Sequence, residues 1–195
     1  VLLRREFLKW REWKREVPDV ARKVLVTLGG GDPDNVTLKV IQALQQVNVD
    51  GLEAVVVVGA SNLHYQEIQA AARASRFPIR LESNATNMPE LMAWADVAVI
   101  AAGGTLWELL FMGCSVVSYA RNDMQHRILS ELNRQNTVSY QGCTSEMDEK
   151  EFALSVADIA CSQAGREWTS ATGRLIVDGK GANRVWKAII NDAEN

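Results

Sequence analysis

The sequence is poor in the residues that build disulfide frameworks and metal centres. It contains three cysteines and two histidines in 195 residues, with neither a C-x-x-C pair nor an H-E-x-x-H pattern. An odd number of widely spaced cysteines argues against a disulfide framework and a structural zinc site, and it fits a reducing cytoplasm. Two histidines outside any ligand pattern argue against a catalytic metal. We therefore expect a cytoplasmic protein with no metal ion and no cofactor.

Long apolar runs and an excess of positive charge are also missing. No apolar stretch approaches the roughly 20 residues that a membrane-spanning helix needs, so we expect no transmembrane segment. The formal net charge is −3 at pH 7, and nucleic acid is therefore not an expected partner. The hydrophobic content of 47% and the charged content of 23% are ordinary for a globular chain of one domain or two small ones.

Short apolar runs alternate with helical patterns along most of the chain. Strands are predicted at 23–28, 53–59 and 97–101, and each is followed by a glycine-rich or polar loop and then a helix. This alternation predicts an α/β fold, a doubly wound parallel sheet of about six strands that is Rossmann-like. Ligands of such sheets bind beyond the carboxyl ends of the strands, so the loops that follow strands form the expected binding edge.

The stretch 96–119 carries the most specific chemistry. A strand pattern ends at Gly103, Gly104 and Thr105, and a helical pattern follows. Glycines let the backbone N–H groups of a helix start approach an anion closely. Glu108 lies about one helical turn further on, where a carboxylate would repel phosphate but accept two hydrogen bonds from a vicinal diol such as ribose. The pattern predicts a nucleoside diphosphate site; the alternative is a plain glycine turn with a capping box.

A second glycine loop, formed by Gly29, Gly30 and Gly31, follows the first predicted strand. Asp32 and Pro33 then fit an N-cap and a first helical residue. The loop matches neither G-x-G-x-x-G nor G-x-x-x-x-G-K-[ST], which argues against an NAD-binding domain and against a P-loop. It is predicted either to contribute to the ligand site or to form a tight, well-capped turn.

The N-terminal residues predict an amphipathic helix over 2–17, because apolar side chains recur there every three to four positions. Trp10 and Trp13 in this helix suggest that it packs against something large, either this domain or a domain missing on the N-terminal side. We therefore divide the chain into an N-terminal helix and interdomain linker, 1–19, and a Rossmann-like domain, 20–195. If its partner is missing, the apolar helix would promote association.

An ordered set of motifs covers nearly the whole chain. These motifs are LLRREF at 2–7, VTLGGGDPDN at 26–35, MPELMAWAD at 88–96, AGGTLWE at 102–108 and DGKGA at 178–182. The set resembles the C-terminal half of the PseG/SpsG-like family, which comprises UDP-sugar hydrolases of pseudaminic acid synthesis and related polysaccharide-biosynthesis proteins. That family is similar in fold to MurG-type GT-B glycosyltransferases.

The resemblance implies one half of a GT-B fold that holds a UDP-sugar and faces an N-terminal domain of the same protein. The residues that it assigns to the ligand are Gly103, Gly104 and Thr105 at the pyrophosphate, Glu108 at the ribose, Leu81, Glu82 and Ser83 at the uracil, and Gly29, Gly30 and Gly31 at the phosphates or sugar.

The resemblance also implies the reaction, in which UDP is cleaved from a nucleotide sugar by water or the sugar is transferred to an acceptor. The family's catalytic histidine, a general base, lies in the N-terminal domain, so this chain alone is expected to be inactive. Family hydrolases often carry Asn-Gln before the helix that follows the stretch 96–119. Here Asn122 and Gln125 are the candidates for contact with the sugar or β-phosphate. The alternative is a non-catalytic binding or interaction module with the same fold.

Overall fold

A computed structural model describes residues 1–193 of the chain. Within them, six strands form one sheet in the order β3-β2-β1-β4-β5-β6, and every neighbouring pair is parallel. The predicted α/β class and the doubly wound parallel sheet are confirmed. The strands are β1 (Lys23–Thr27), β2 (Glu53–Val58), β3 (Ile79–Ser83), β4 (Val97–Ala101), β5 (Ser115–Ala120) and β6 (Ser139–Cys143).

Helices cover both faces of the sheet, which explains why the central strands are apolar on both sides. The core on one face is built from α1, α2 and α6, and the core on the other from α3, α4 and α5. No helix in the described range is long and apolar enough to cross a membrane. The helices are α1 (Val36–Leu44), α2 (Tyr65–Arg73), α3 (Met88–Trp94), α4 (Gly104–Phe111), α5 (Asp123–Arg134), α6 (Glu149–Cys161), α7 (Gln163–Ile176) and α8 (Gly181–Ala193).

The strand order reverses between β1 and β4. From β1 the chain builds outwards to β2 and β3, whereas from β4 it builds in the other direction to β5 and β6. The two central strands are paired in register, with Thr27 opposite Ile100 near their carboxyl ends. The two glycine loops therefore leave the sheet side by side, at the position where ligands of open parallel sheets bind.

The predicted helix over 2–17 is wrong. Only Arg5–Trp10 is helical, as a 3-10 helix, and the chain that follows is irregular. In an α-helix these backbone carbonyls would accept hydrogen bonds from the N–H groups of the next turn. Here the carbonyls of Arg11 (2.9 Å) and Trp13 (2.5 Å) accept from the distant Arg174 side chain instead.

The aromatic side chains of this segment pack on the domain itself. Phe7 is completely buried in the core on the α3–α4–α5 face, and Trp10 and Trp13 pack against the same core. They are therefore not a free apolar surface. The division of the chain at residue 19 remains a prediction.

Candidate functional site

A cleft of about 640 Å³ opens at the carboxyl edge of the sheet. It brings Gly29 and Gly30 of the first loop together with Gly104, Thr105 and Glu108 of α4. Five residues predicted from separate motifs thus share one surface. The remaining lining residues are Leu2, Arg4, Thr27, Val57, Val58, Gly59, Asn84, Ala85, Met88 and Trp107.

The start of α4 is open. Gly103 and Gly104 are exposed, and a Cβ built on either glycine would meet nothing within 4 Å. Gly103 has φ −166°, an extended conformation that any residue adopts. Within residues 1–193, no side chain caps this helix start and its first turn carries no acidic residue. Neither backbone strain nor packing requires glycine here. Because no side chain of the described residues caps the helix, its first N–H groups and the positive end of its dipole are available to a ligand.

The start of α1 is closed by the chain's own carboxylate. Asp32 is completely buried, and its oxygens accept hydrogen bonds from the backbone N–H groups of Val36 (3.1 Å) and Thr37 (2.8 Å). The Thr37 hydroxyl donates to the same carboxylate at 2.6 Å. The assignment of Pro33 as the first helical residue is wrong, because α1 begins at Val36 and Asp32 caps it from a left-handed conformation with φ +41°.

Arg121 completes the Asp32 cap and was missed from the sequence. Its guanidinium donates to Asp32 Oδ1 at 2.8 Å and ties the loop after β5 to the loop after β1. The pair gives the buried carboxylate a positive partner, which such a group needs. The only signal in the sequence was the position of Arg121 beside Asn122, in the loop before a predicted helix.

The first glycine loop is also held tightly by its neighbours. Gly29 has φ +91°, which favours glycine, and a Cβ on Gly59 would overlap the backbone of Gly30. The Ser61 hydroxyl donates to the Gly30 carbonyl at 3.0 Å. Gly31 does not line the cleft. Its predicted role at the ligand remains untested, as do those of Gly29 and Gly30.

Glu108 is paired with an arginine from the N-terminal segment. Arg4 Nε donates to Glu108 Oε1 at 2.7 Å, and Arg4 Nη2 donates to Oε2 at 3.0 Å. Glu108 is only 7% exposed, yet it faces the cleft. This hydrogen bonding raises the pKa of Arg4 above its ordinary value, in opposition to a smaller effect of burial. Arg4 belongs to the LLRREF motif, but no local pattern predicts this pairing, which joins residues 104 positions apart.

The predicted uracil segment lies on an edge strand. Leu81, Glu82 and Ser83 belong to β3, and the cleft is lined there by the two residues that follow the strand, Asn84 and Ala85. The binding role of the three strand residues remains a prediction. Asn84, with φ +51°, turns the chain at the end of β3 and brings this edge to the cleft.

The two polar residues predicted to contact the sugar close their own loop. Asn122 caps α5 by accepting from the Gln125 N–H at 3.0 Å, and Gln125 Oε1 accepts from the Arg121 N–H at 2.8 Å. Neither residue lines the cleft. Their contact with a ligand remains a prediction, and the geometry gives each of them a structural role.

The fold is a Rossmann-like parallel sheet flanked by helices, of the kind found in GT-B glycosyltransferase domains. No protein-family model matches the chain. The sequence is 27% identical over 173 residues to the spore coat polysaccharide biosynthesis protein SpsG of Bacillus subtilis strain 168, a match that covers 88% of this chain and 50% of that protein. This match confirms the resemblance to SpsG-like proteins that the motifs predicted.

Solved structures agree on the fold. The MurG structure from Acinetobacter baumannii superposes with a TM-score of 0.74 at 14% identity, over 91% of this chain and 54% of that one. The UDP-GlcNAc 2-epimerase of Neisseria meningitidis, bound to UDP-GlcNAc, gives a TM-score of 0.65 at 14% identity, over 90% of this chain and 45% of that one. The chain thus spans about half the length of these proteins.

Proposed function

We propose that this chain is the UDP-sugar-binding half of an enzyme of polysaccharide or nonulosonic-acid biosynthesis. The observation that carries the proposal is the open start of α4, whose two glycines are required by neither the backbone nor the packing. A helix start of this kind binds a diphosphate. Glu108, one turn further along the same helix and in the same cleft, would accept the ribose hydroxyls.

The proposed chemistry is cleavage at the anomeric carbon of the sugar. As that bond breaks, negative charge grows on the departing diphosphate, and N–H donors fixed at a helix start stabilise it. The donors would come from the backbone of Gly103, Gly104 and Thr105, with the Thr105 hydroxyl beside them. Attack by water and attack by an acceptor hydroxyl break the same bond, so this half would serve a hydrolase or a transferase.

The comparisons support a nucleotide sugar as ligand. One structure of the same fold contains UDP-GlcNAc, and the similar SpsG sequence is named for polysaccharide biosynthesis. Since the chain spans about half of these proteins, we infer that a further domain, N-terminal to residues 20–195, supplies the catalytic base and most of the contacts to the sugar. The complete active site would then form across the two domains.

Calorimetric titration with UDP tests this proposal, with ADP and GDP as controls for base selectivity. We expect UDP to bind at least about 10-fold more tightly than ADP, a difference of about 1.4 kcal/mol. Glu108→Gln should weaken UDP binding by a similar factor, because an amide accepts fewer hydrogen bonds than a carboxylate.

A matched control is Glu131→Gln. Glu131 also forms a two-bond pair with an arginine, Arg134, but it does not line the cleft. This variant should bind UDP like the unmodified chain. Equal UDP affinity in the Glu108→Gln and Glu131→Gln chains, or no binding of UDP at millimolar concentration, would contradict the proposal.

A further inference from the structure

The N-terminal segment is fixed to the domain at several points, and it carries Arg4 to the cleft. Phe7 fills the core three residues after Arg4. Further along, the Arg15 guanidinium donates to the backbone carbonyls of Met92 (2.6 Å) and Met112 (3.2 Å), at the ends of α3 and α4. Arg4 is therefore held beside Glu108 by an anchored segment.

All of the Arg4 guanidinium nitrogens are engaged by side chains of this protein. Two of them hold the Glu108 carboxylate, and the third, Nη1, lies 3.0 Å from Glu6 Oε1. The guanidinium also lies over the Phe7 ring, 5.3 Å from its centroid. Three of the five N–H donors of Arg4 thus serve carboxylates of this protein, and two of those three hold Glu108.

Counting acceptor sites shows what this pairing leaves on Glu108. Each carboxylate oxygen accepts about two hydrogen bonds, and Arg4 occupies one on each oxygen. One acceptor site per oxygen remains, which matches the two hydroxyls of a vicinal diol. The two parallel bonds also fix the plane of the carboxylate, a constraint that a single charge does not impose.

We propose that Arg4 is a positioning residue for ribose recognition, which orients the buried Glu108 carboxylate so that its free acceptor sites meet the 2′- and 3′-hydroxyls. This inference rests on the proposed function. Without Arg4, a carboxylate that is almost fully buried would lose the two bonds that fix its plane. A rotated Glu108 would no longer present one acceptor site to each of two hydroxyls.

The test compares the affinities of UDP and 2′-deoxy-UDP by calorimetry. The unmodified chain should prefer UDP by about 10-fold, because a site built for a hydroxyl is left unpaired by the deoxy ligand. Arg4→Ala should bring this preference below about 3-fold, with most of the loss in UDP affinity. Arg4→Lys should restore part of it, since an ammonium keeps the charge but loses the planar fork.

Arg134→Ala is the control, because Arg134 pairs with Glu131 in the same two-bond manner outside the cleft. It should keep the full preference for UDP. A merely structural role for Arg4 would weaken both ligands equally and leave their ratio unchanged, and that result in a folded Arg4→Ala or Arg4→Lys chain overturns the inference. Absence of UDP binding in the unmodified chain would instead overturn the proposed function.

Discussion

The two glycine turns resemble each other in sequence but differ in what the rest of the chain demands of them. In the first turn, Gly29 adopts a left-handed conformation and Gly30 lies directly against Gly59. In the second turn, Gly103 and Gly104 have open space around the Cβ position and no unusual φ. The chain's own structure explains Gly29, whereas a Cβ on Gly30 would make only an ordinary 3.7 Å contact with the Ser61 hydroxyl. Because both glycines of the second turn are unexplained, the second turn is the better candidate for a ligand.

The helix starts beyond these turns differ in the same sense. The start of α1 already holds an anion, the Asp32 carboxylate, which is itself paired with Arg121. Among residues 1–193, no side chain caps the start of α4. Because a helix start attracts negative charge, one without an internal carboxylate at the carboxyl edge of a parallel sheet is chemically distinct from one that is capped internally. The comparison separates a structural glycine turn from a functional one.

The largest expected effect follows from removal of the internal anion. Asp32→Ala should lower the free energy of unfolding by about 3 kcal/mol, because it uncaps α1 and leaves Arg121 without its carboxylate. Urea denaturation measures this change. Asp34→Ala, at an exposed neighbour, should change stability by less than about 0.5 kcal/mol. Equal stability of the two variants would mean that α1 does not depend on an internal anion.

Substitution within the first turn should also destabilise the protein. Gly29→Ala places a side chain at φ +91° and within 3.3 Å of Arg121, at a cost of about 1–2 kcal/mol in the free energy of unfolding. The measurement is again urea denaturation, in the absence of nucleotide. An unchanged free energy of unfolding would mean that the structure requires glycine at position 29 no more than it does in the second turn.

The same substitution in the second turn should have the opposite sign. Gly104→Ala should raise the free energy of unfolding by about 0.5 kcal/mol, because alanine loses less backbone entropy in a helix and meets no neighbour here. UDP affinity should nevertheless fall, since the methyl group obstructs the approach of the phosphate to the backbone. A destabilised Gly104→Ala chain would indicate a structural need for this glycine.

The smallest expected effect is that of Thr105→Val. This change removes one hydroxyl at a half-exposed position and should leave stability within about 0.5 kcal/mol of the original. We expect UDP affinity to fall by a few-fold, as for the loss of one neutral hydrogen bond. Calorimetry measures the UDP affinity, and an unchanged melting temperature shows that the variant is folded. Unaltered affinity would exclude the hydroxyl from the phosphate site.

The sequence predicted those features that depend on local patterns. Alternating apolar runs and helices defined the parallel sheet, and strand–loop order put Gly30 and Gly104 at one edge of it. Pairings between distant residues could not be predicted in this way. Arg4 meets Glu108 across 104 positions and Arg174 meets Trp13 across 161, and the second of these replaces the helix that periodicity had predicted over 2–17.

Whether a helix start is occupied also depends on the fold. Asp32 fits a standard N-cap in sequence, but it caps from outside the helix because its left-handed backbone returns the carboxylate to Val36 and Thr37. Likewise, a Gly-Gly pair gives no local indication of whether its Cβ positions are crowded. Whether a helix start is capped and whether a glycine is crowded both depend on the positions of neighbouring loops.

Amide chemical shifts during a UDP titration test the central claim most directly, that ligand phosphates bind the start of α4 and not the start of α1. In the ¹⁵N-labelled chain, the amide signals of Gly103, Gly104 and Thr105 should move and saturate as UDP is added, while those of Val36 and Thr37 remain in place. Movement of the Val36 and Thr37 signals with the α4 amides unchanged, or no movement of any of the five at millimolar UDP, would contradict the account.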